Sequence, residues 1–505
     1  MSSGIREENG QFKVEASLEF CNKTVARQEV LVQKNVSSDI FFYDESGEKE
    51  ISESPARGKT PVAARTGENR ENDYFESYES KLEHSVVVSS ERLELSKSIK
   101  RELKRVTYLT LKKATGKELP WGMLTGIRPT KIVHEMIEKG HEKSRILEKL
   151  TQYFEVSGEK SRLAYNIALV EKPILDKSEK DKVGIYIGIP FCPTRCLYCS
   201  FTSNPISRYK DYVTLYLEAL SREIEMVGHL LKDLSLKAQT IYMGGGTPTS
   251  INSEQLMELL AKTEDVFCDG SLEEFTLEAG RPDSIDGSKL NVVKNSKVTR
   301  ISINPQSMNK ETLNVIGRSH APEDIIKTFW LAREKGFQNI NMDIIAGLPG
   351  EDLEMFHNTL DEIEKLNPES LTVHTMSIKR ASRLNEYLDD YELGKSELVS
   401  GMVDAAREAA SKMGMHPYYL YRQKKILGNL ENTGYCKPGF ECLYNVHIME
   451  EKQTIIALGA GGVTKVVFPE ENRIERVFNV KSVEEYVQRV DEMVERKKKL
   501  LNQLR

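Results

Sequence analysis

Cysteine is scarce in this chain. Seven stand among 505 residues, and so small and odd a number speaks against a disulfide framework. An excess of positive charge is also missing. Lys and Arg total 71 against 77 Asp and Glu, giving a net charge of −6. A surface built to neutralise many phosphates is therefore not expected, and nucleic acid is excluded as a partner. No apolar run reaches membrane-spanning length: the greasiest stretch, Thr454 to Phe468, is broken by glycines and by Lys465. Met1 to Gly10 is polar and lacks the apolar core of a secretory signal. What is present, 39% hydrophobic and 29% charged residues, suits a globular chain. The length calls for roughly two or three domains. These features predict a reduced, cytoplasmic, soluble protein.

The pattern along the chain changes three times. Val30–Val32 and Ile40–Tyr43 read as short strands, and Gly58–Asp73 reads as an exposed loop. From about Ser85 to Pro173, apolar residues such as Leu93, Ile99, Leu103 and Val106 recur at helical spacing. The Gly and Pro residues from Pro120 to Pro129 must interrupt that helix. Beginning at Lys182, six β-type runs alternate with amphipathic helices: Val183–Ile189, Thr240–Met243, Glu274–Glu278, Arg300–Ile303, Asn339–Ile345 and Ser370–Thr375. The runs INMDII and LTVHTM are nearly all apolar, as strands covered on both faces should be. The rhythm predicts an α/β fold, a partial (β/α)6 TIM-like barrel, with chemistry at the carboxyl ends of its strands. Beyond Arg380 come a helix over Ser396–Met413, a tyrosine-rich segment, a glycine-rich strand over Thr454–Thr464, and a charged helix over Val483–Leu501 that reads as a solvated cap. Residues 1–178 thus form an N-terminal α+β accessory domain, 179–380 the barrel and 381–505 a C-terminal α+β domain expected to cover substrate.

Three cysteines, Cys192, Cys196 and Cys199, sit in GIPFCPTRCLYCSF directly after the first barrel strand. A structural zinc site needs four ligands, and no second close pair exists, since Cys436 and Cys442 are spaced CxxxxxC. A thioredoxin-type pair opens a helix and carries no third cysteine. Three thiolates spaced CxxxCxxC suit a [4Fe–4S] cluster with one iron left free to bind a small ligand. Cys436, Cys442 and Cys268 read as ordinary thiols.

CxxxCxxC after a first barrel strand resembles the signature of the radical S-adenosylmethionine (SAM) enzymes. The resemblance implies that the fourth iron binds SAM and that one electron cleaves it to methionine and a hydrogen-abstracting 5′-deoxyadenosyl radical. Gly244–Gly245–Gly246–Thr247–Pro248 after the second strand resembles the segment that meets the amino group of SAM. Glu278 resembles the family's ribose ligand. Gln306, Arg318 and Asp343 match further SAM-contacting positions of the oxygen-independent coproporphyrinogen III oxidase branch, and Tyr186 in YIGIPFC matches its tyrosine before the cluster. Tyr198 and Ser377 complete the implied cofactor contacts. Taken alone, Asp343 could equally be a helix cap and Arg318 a surface cation.

PWGMLTGIRPTKIVHEM and GNLENTGYCKPGFECLYNVHIMEEKQTIIALGAGG narrow the resemblance to the HemZ-type coproporphyrinogen dehydrogenases. It implies oxidative decarboxylation of two propionates of coproporphyrinogen III to vinyl groups without oxygen, in heme biosynthesis. A low-potential donor such as flavodoxin or ferredoxin would supply electrons. Two positions depart from the classical enzyme: Gly188 replaces a histidine, and Phe201 replaces a fourth cysteine. Arg422, Lys424 and Lys425 could meet substrate carboxylates, with Tyr418, Tyr419 and Tyr421 against a tetrapyrrole face. Thr454–Gly462 resembles a stretch that closes over adenosine. The alternatives are a heme-binding chaperone of the same branch and another tetrapyrrole-directed radical SAM enzyme. The chaperones typically carry HNxxYW, whereas here YNVHIM stands in that region and the only tryptophans are Trp121 and Trp330.

Overall fold

The computed structural model describes the backbone of residues 2–8, 11–20 and 23–33, then residues 90–504 apart from 127, 202 and 388–392, with side chains from Ser98 onward. The chain divides into two compact units, Met1–Met123 and Leu124–Arg505. In the first unit, β1 (Ser2–Glu8), β2 (Gln11–Phe20) and β3 (Lys23–Gln33) pair antiparallel in that order. Helix α1 (Ser90–Thr115) lies against β2 and β3. Gly116, at φ 66°, ends it with a bond from its amide to Lys112 O. Val30–Val32 falls within β3, while Ile40–Tyr43 and Gly58–Asp73 lie outside the described residues.

The second unit opens with α2 (Thr130–Glu138), directly after Pro129, and α3 (Gly158–Asp176), capped by Ser157. The barrel follows as β4 (Lys182–Ile189), α4 (Lys210–Asp233), β5 (Lys237–Gly245), α5 (Ser253–Phe267), β6 (Glu274–Gly280), α6 (Gly287–Lys294), β7 (Arg300–Ile303), α7 (Pro322–Glu334), β8 (Ile340–Ala346), α8 (Leu353–Leu366) and β9 (Ser370–Thr375). Local sequence explains the boundaries. Asn252 and Gln255 form a reciprocal capping box on α5. Asp286 caps α6 and Asp352 caps α8, and α8 ends where Asn367 turns left-handed. Strands β4 to β9 pair parallel in chain order. This is the six-unit partial barrel expected from the alternating pattern. Its strands are buried on both faces because helices cover the outside.

Helix α9 (Ser396–Lys412) leads to β10 (His416–Tyr421) and β11 (Asn432–Cys436), which extend the sheet antiparallel from β9. After α10 (Leu443–Glu450), β12 (Ile455–Leu458) joins parallel to β4 at the other edge, followed by antiparallel β13 (Val463–Phe468) and β14 (Arg473–Phe478). The glycine-rich stretch is thus two strands around a turn. The final helix α11 (Val483–Leu501) corrects the reading of a solvated cap. Val483, Tyr486, Val490, Met493, Val494 and Leu501 form a buried stripe against the barrel core, hidden in the sequence by the charge on the remaining faces.

That helix is fastened by a buried ion pair. Lys497 Nζ stands 2.7 Å from Glu223 Oε1, and both side chains are fully buried. Glu223 also accepts bonds from Tyr486 OH (2.5 Å), Gly459 N (2.8 Å) and Asn479 Nδ2 (3.0 Å). Gly459 is required there: at φ 90°, a Cβ would lie 2.4 Å from Gly188 O. A buried charge stripped of its partner costs more than the pair contributes. Lys497→Ala should therefore lower unfolding free energy by about 3–5 kcal/mol, and Glu223→Gln with Lys497→Met together by much less. Denaturant melts of the three proteins check this; equal losses in the single and paired variants would contradict it.

Candidate cofactor site

The carboxyl ends of the six parallel strands open on a cavity of about 350 Å³. Its position follows from the first two strand ends. Gly246 N donates to Ile189 O and Thr247 N to Phe191 O, each at 2.8 Å. A Cβ on Gly246 would stand 2.6 Å from Phe191 O and 3.0 Å from Cys192 Sγ, so the glycine lets this backbone reach the cysteine loop. The loop's middle is held by Leu197, whose N donates to Ile316 O and whose O accepts from Leu384 N.

Cys192, Cys196 and Cys199 all line the cavity. Thr247 Oγ1 donates to Cys192 Sγ at 3.5 Å, Ser203 Oγ lies 3.8 Å from Cys199 Sγ, and Arg281 Nη1 donates to Cys196 Sγ at 3.8 Å. Burial pushes the Cys192 thiol up to about 12 and raises Cys199 as well. Such thiols ionise when a metal centre takes their sulfur. Three thiols carried by one loop into one cavity fit three corners of a multi-iron cluster.

Of the other residues expected from the sequence, Tyr198, Gly245, Gly246, Thr247, Glu278, Gln306, Arg318, Asp343 and Ser377 line the same cavity. Gly244 and Tyr186 lie just behind it. A Cβ on Gly244 would come within 2.9 Å of the Glu278 carboxyl carbon and the Tyr242 ring, which explains the glycine. Tyr186 belongs to a buried tyrosine group in which Tyr242 and Tyr444 stack at 4.6 Å and Tyr186 lies 6.3 Å from Tyr242. Burial raises the Glu278 carboxyl to about 7, against a 2.6 Å bond from Tyr242 OH. Burial works the same way on Asp343, but His374, with Asn341 and Thr372, outweighs it and holds that carboxyl below its ordinary value. Asp343 thus sits in a strand and caps no helix. Arg318 is buried and no surface cation: Nη1 donates to Asn304 O, Nη2 lies 3.4 Å from Tyr198 OH, and Nε has no partner among the described residues. Gln306 holds a left-handed conformation at φ 69°, bridging to β8 through Asp343 O and Ile345 N, and its buried Oε1 has no partner among the described residues. A non-glycine residue held this way, with an unsatisfied oxygen, is a mark of a ligand site.

The cations differ from expectation. Arg422 is buried, and its guanidinium donates to the backbone oxygens of Leu124, Asn429 and Leu430, so it braces chain segments and does not face the cavity. Lys424 and Lys425 do not line it either, whereas Lys379, four residues beyond β9, does. Burial alone lowers its ammonium. Tyr419 and Tyr421 line the cavity with rings stacked 6.4 Å apart, but Tyr418 packs beside Cys436 and Cys442 in the core. Thr454–Gly462 does not line the cavity and instead builds the sheet edge beside β4. Arg281 was not singled out in the sequence. It follows β6 in EAGRPDS, where a charged residue just past a barrel strand end was the available signal; two bonds to Asp283 hold it.

A family model described as the radical SAM superfamily matches residues 186–363. The oxygen-independent coproporphyrinogen-III oxidase-like protein HemZ of Bacillus subtilis is 43% identical over 415 residues, covering 81% of this chain and 83% of that one. The heme chaperone HemW of the same organism is 31% identical over 279 residues, covering 55% of this chain and 69% of its own. The solved coproporphyrinogen III oxidase HemN of Escherichia coli aligns with a TM-score of 0.48 at 21% identity, over 65% of this chain and 73% of that chain. The superfamily's cofactors, a [4Fe–4S] cluster and SAM, match the thiols and the polar cavity beside them. No helix among the described residues is long and apolar enough to cross a membrane. Similarity of this degree, over four-fifths of both chains, makes the protein a radical SAM enzyme of the HemZ family of oxygen-independent coproporphyrinogen-III oxidase-like proteins.

Proposed function

We propose that this enzyme decarboxylates two propionates of coproporphyrinogen III oxidatively, giving protoporphyrinogen IX without oxygen. The observation that carries the reading is the convergence of three thiols, Glu278, Gln306, Arg318 and Asp343 on one cavity that is also lined by Lys379, Tyr419 and Tyr421. Extensive similarity to HemZ supports it, where the chaperone HemW matches little more than half of the chain.

In this reading Cys192, Cys196 and Cys199 would hold three irons of the cluster. The bound cofactors supply one-electron reduction and hydrogen abstraction. Removing a hydrogen atom from the carbon next to a pyrrole, then losing carbon dioxide and passing one electron to an external one-electron acceptor, leaves a vinyl group. The chain's residues orient and shield. The backbone of Gly245–Thr247 offers close approach to the methionine part of SAM, with Tyr198 and Ser377 at the edges of the cavity. The Glu278 carboxylate accepts the ribose hydroxyls, while Arg318 and Gln306 present their unpartnered atoms. The tyrosines Tyr186, Tyr242 and Tyr444 keep water from the floor. Lys379 meets a substrate carboxylate. Tyr419, Tyr421 and the exposed ring of Phe201, at the cavity wall, offer flat apolar faces to a tetrapyrrole. Residues 381–505, which carry those tyrosines, serve as the substrate cover, and a flavodoxin or ferredoxin supplies electrons.

Anaerobic incubation of the cluster-loaded enzyme with SAM, reductant and coproporphyrinogen III should give a product lacking two carboxyl groups by mass spectrometry. SAM cleavage without that loss would discard the substrate, and tight heme binding without SAM turnover would favour a chaperone. Lys379→Ala should raise KM for the porphyrinogen about tenfold, with kcat much less affected; an unchanged KM would remove Lys379 from the substrate site. Only the ionised Glu278 accepts two hydroxyls, and burial pushes its carboxyl up to about 7. SAM affinity should therefore rise as pH increases through that value, and rise less steeply in Glu278→Gln, where only the amino group of SAM still titrates, as calorimetry at several pH values can show.

A further inference from the structure

A second group of metal-type donors lies at the other end of the barrel. His416 opens β10 and Cys436 closes β11, and the two are direct partners in the antiparallel register. Side chains at paired positions share a face of the sheet, and here His416 Nε2 stands 4.0 Å from Cys436 Sγ. The chain then turns through Lys437–Phe440, with Gly439 at φ 85°, and brings Glu441 Oε1 to 3.1 Å from the same nitrogen. All three ligand atoms lie within 4.8 Å of one another. Cys436 also pairs with Ser370, the first residue of β9, so the group sits at the amino ends of the strands, remote from the cofactor cavity.

We propose that His416, Cys436 and Glu441 bind a zinc ion. A thiolate, an imidazole and a carboxylate are the three donor types zinc accepts, and the softness of sulfur disfavours calcium and magnesium. A tetrahedral shell with Zn–S of about 2.3 Å and Zn–N and Zn–O of about 2.1 Å has S–N and N–O edges of about 3.6 and 3.4 Å. The observed 4.0 and 3.1 Å need shifts of only a few tenths of an ångström. His416 and Glu441 are half-buried, so water can complete the shell. Binding releases the Cys436 thiol proton to solvent, takes His416 as the neutral tautomer protonated at Nδ1, and replaces the contacts of Nε2 with Glu441 and Cys436 by bonds to the metal. Neighbouring Cys442 stays outside the shell because its Sγ donates to Glu274 Oε1 at 3.1 Å.

The ion pins β10 to β11 at one end. At its other end β10 carries Tyr419 and Tyr421 to the cavity, beyond a register shift between Pro417 and Tyr419. Zinc there fixes the register on which those two rings depend.

The test uses the full-length, cluster-loaded protein, exposed anaerobically to zinc chloride and desalted. Elemental analysis should give about one zinc per chain beside an unchanged iron content. Zinc-edge X-ray absorption should show a single sulfur among nitrogen and oxygen neighbours. His416→Ala and Cys436→Ser should lose the zinc while keeping iron, and Glu441→Gln should bind it at least about tenfold more weakly against a chromophoric chelator. Zinc should raise the thermal midpoint of the wild type and leave that of His416→Ala unchanged. A wild type that retains no zinc, zinc kept by both ligand variants, or a shell of several sulfurs would overturn the proposal, the last by locating zinc on the cluster cysteines. The absorption measurement needs no variant, so a misfolded substitution cannot obscure the result.

Discussion

How closely the end of β5 approaches the end of β4 governs the rest of the site. Two backbone bonds, from Gly246 to Ile189 and from Thr247 to Phe191, bring the glycine segment against the strand from which the cysteine loop departs. Any side chain at 246 would occupy the place of Phe191 O and crowd Cys192. The thiols therefore enter the cavity at a depth set by main-chain packing, and the amides that could meet a ligand are held by the same contact. Thr247 serves both ends, donating to the Cys192 sulfur while its own amide fixes the loop. The glycines of GGGTP thus act chiefly by permitting close approach.

Burial then differentiates groups that look alike in sequence. Glu278 and Asp343 are both carboxyls near strand ends facing one cavity. Glu278 has a tyrosine hydroxyl and an amide to offset burial, and its carboxyl rises to about 7. Asp343 has His374 as well, and falls below its ordinary value. The cavity can therefore present one permanently ionised carboxylate and one that changes state near neutrality. The same division appears among the cations: Arg422, which looked available, is consumed by backbone carbonyls, while Lys379 stands at the wall with only desolvation acting on it.

The barrel was legible because its signal is local. Alternating apolar strands and amphipathic helices fix six βα units without knowledge of any contact, and strand ends locate the site. The ligand types were legible for the same reason, since CxxxCxxC, GGGTP and Glu278 each follow a strand. What escaped was decided by long-range packing. Nothing near Arg422 reveals that Leu124, almost three hundred residues earlier, occupies its guanidinium. Helix α11 reads as charged because its exposed and half-buried positions carry most of its Glu, Arg and Lys, and its buried Lys497 counts in composition as a surface residue although Glu223 meets it inside. Cys436 gained a histidine and a glutamate only once β10 and β11 were paired.

In the proposed function, three cysteines leave one iron open to SAM inside this cavity. Electron–nuclear double resonance of the reduced cluster, with SAM labelled in its amino nitrogen and carboxylate oxygens, tests that contact without requiring turnover or a known substrate. Hyperfine coupling from both labels to the cluster is expected, lost when Arg318 is replaced by methionine or when unlabelled SAM is used. A reduced cluster whose spectrum is indifferent to labelled SAM would contradict it.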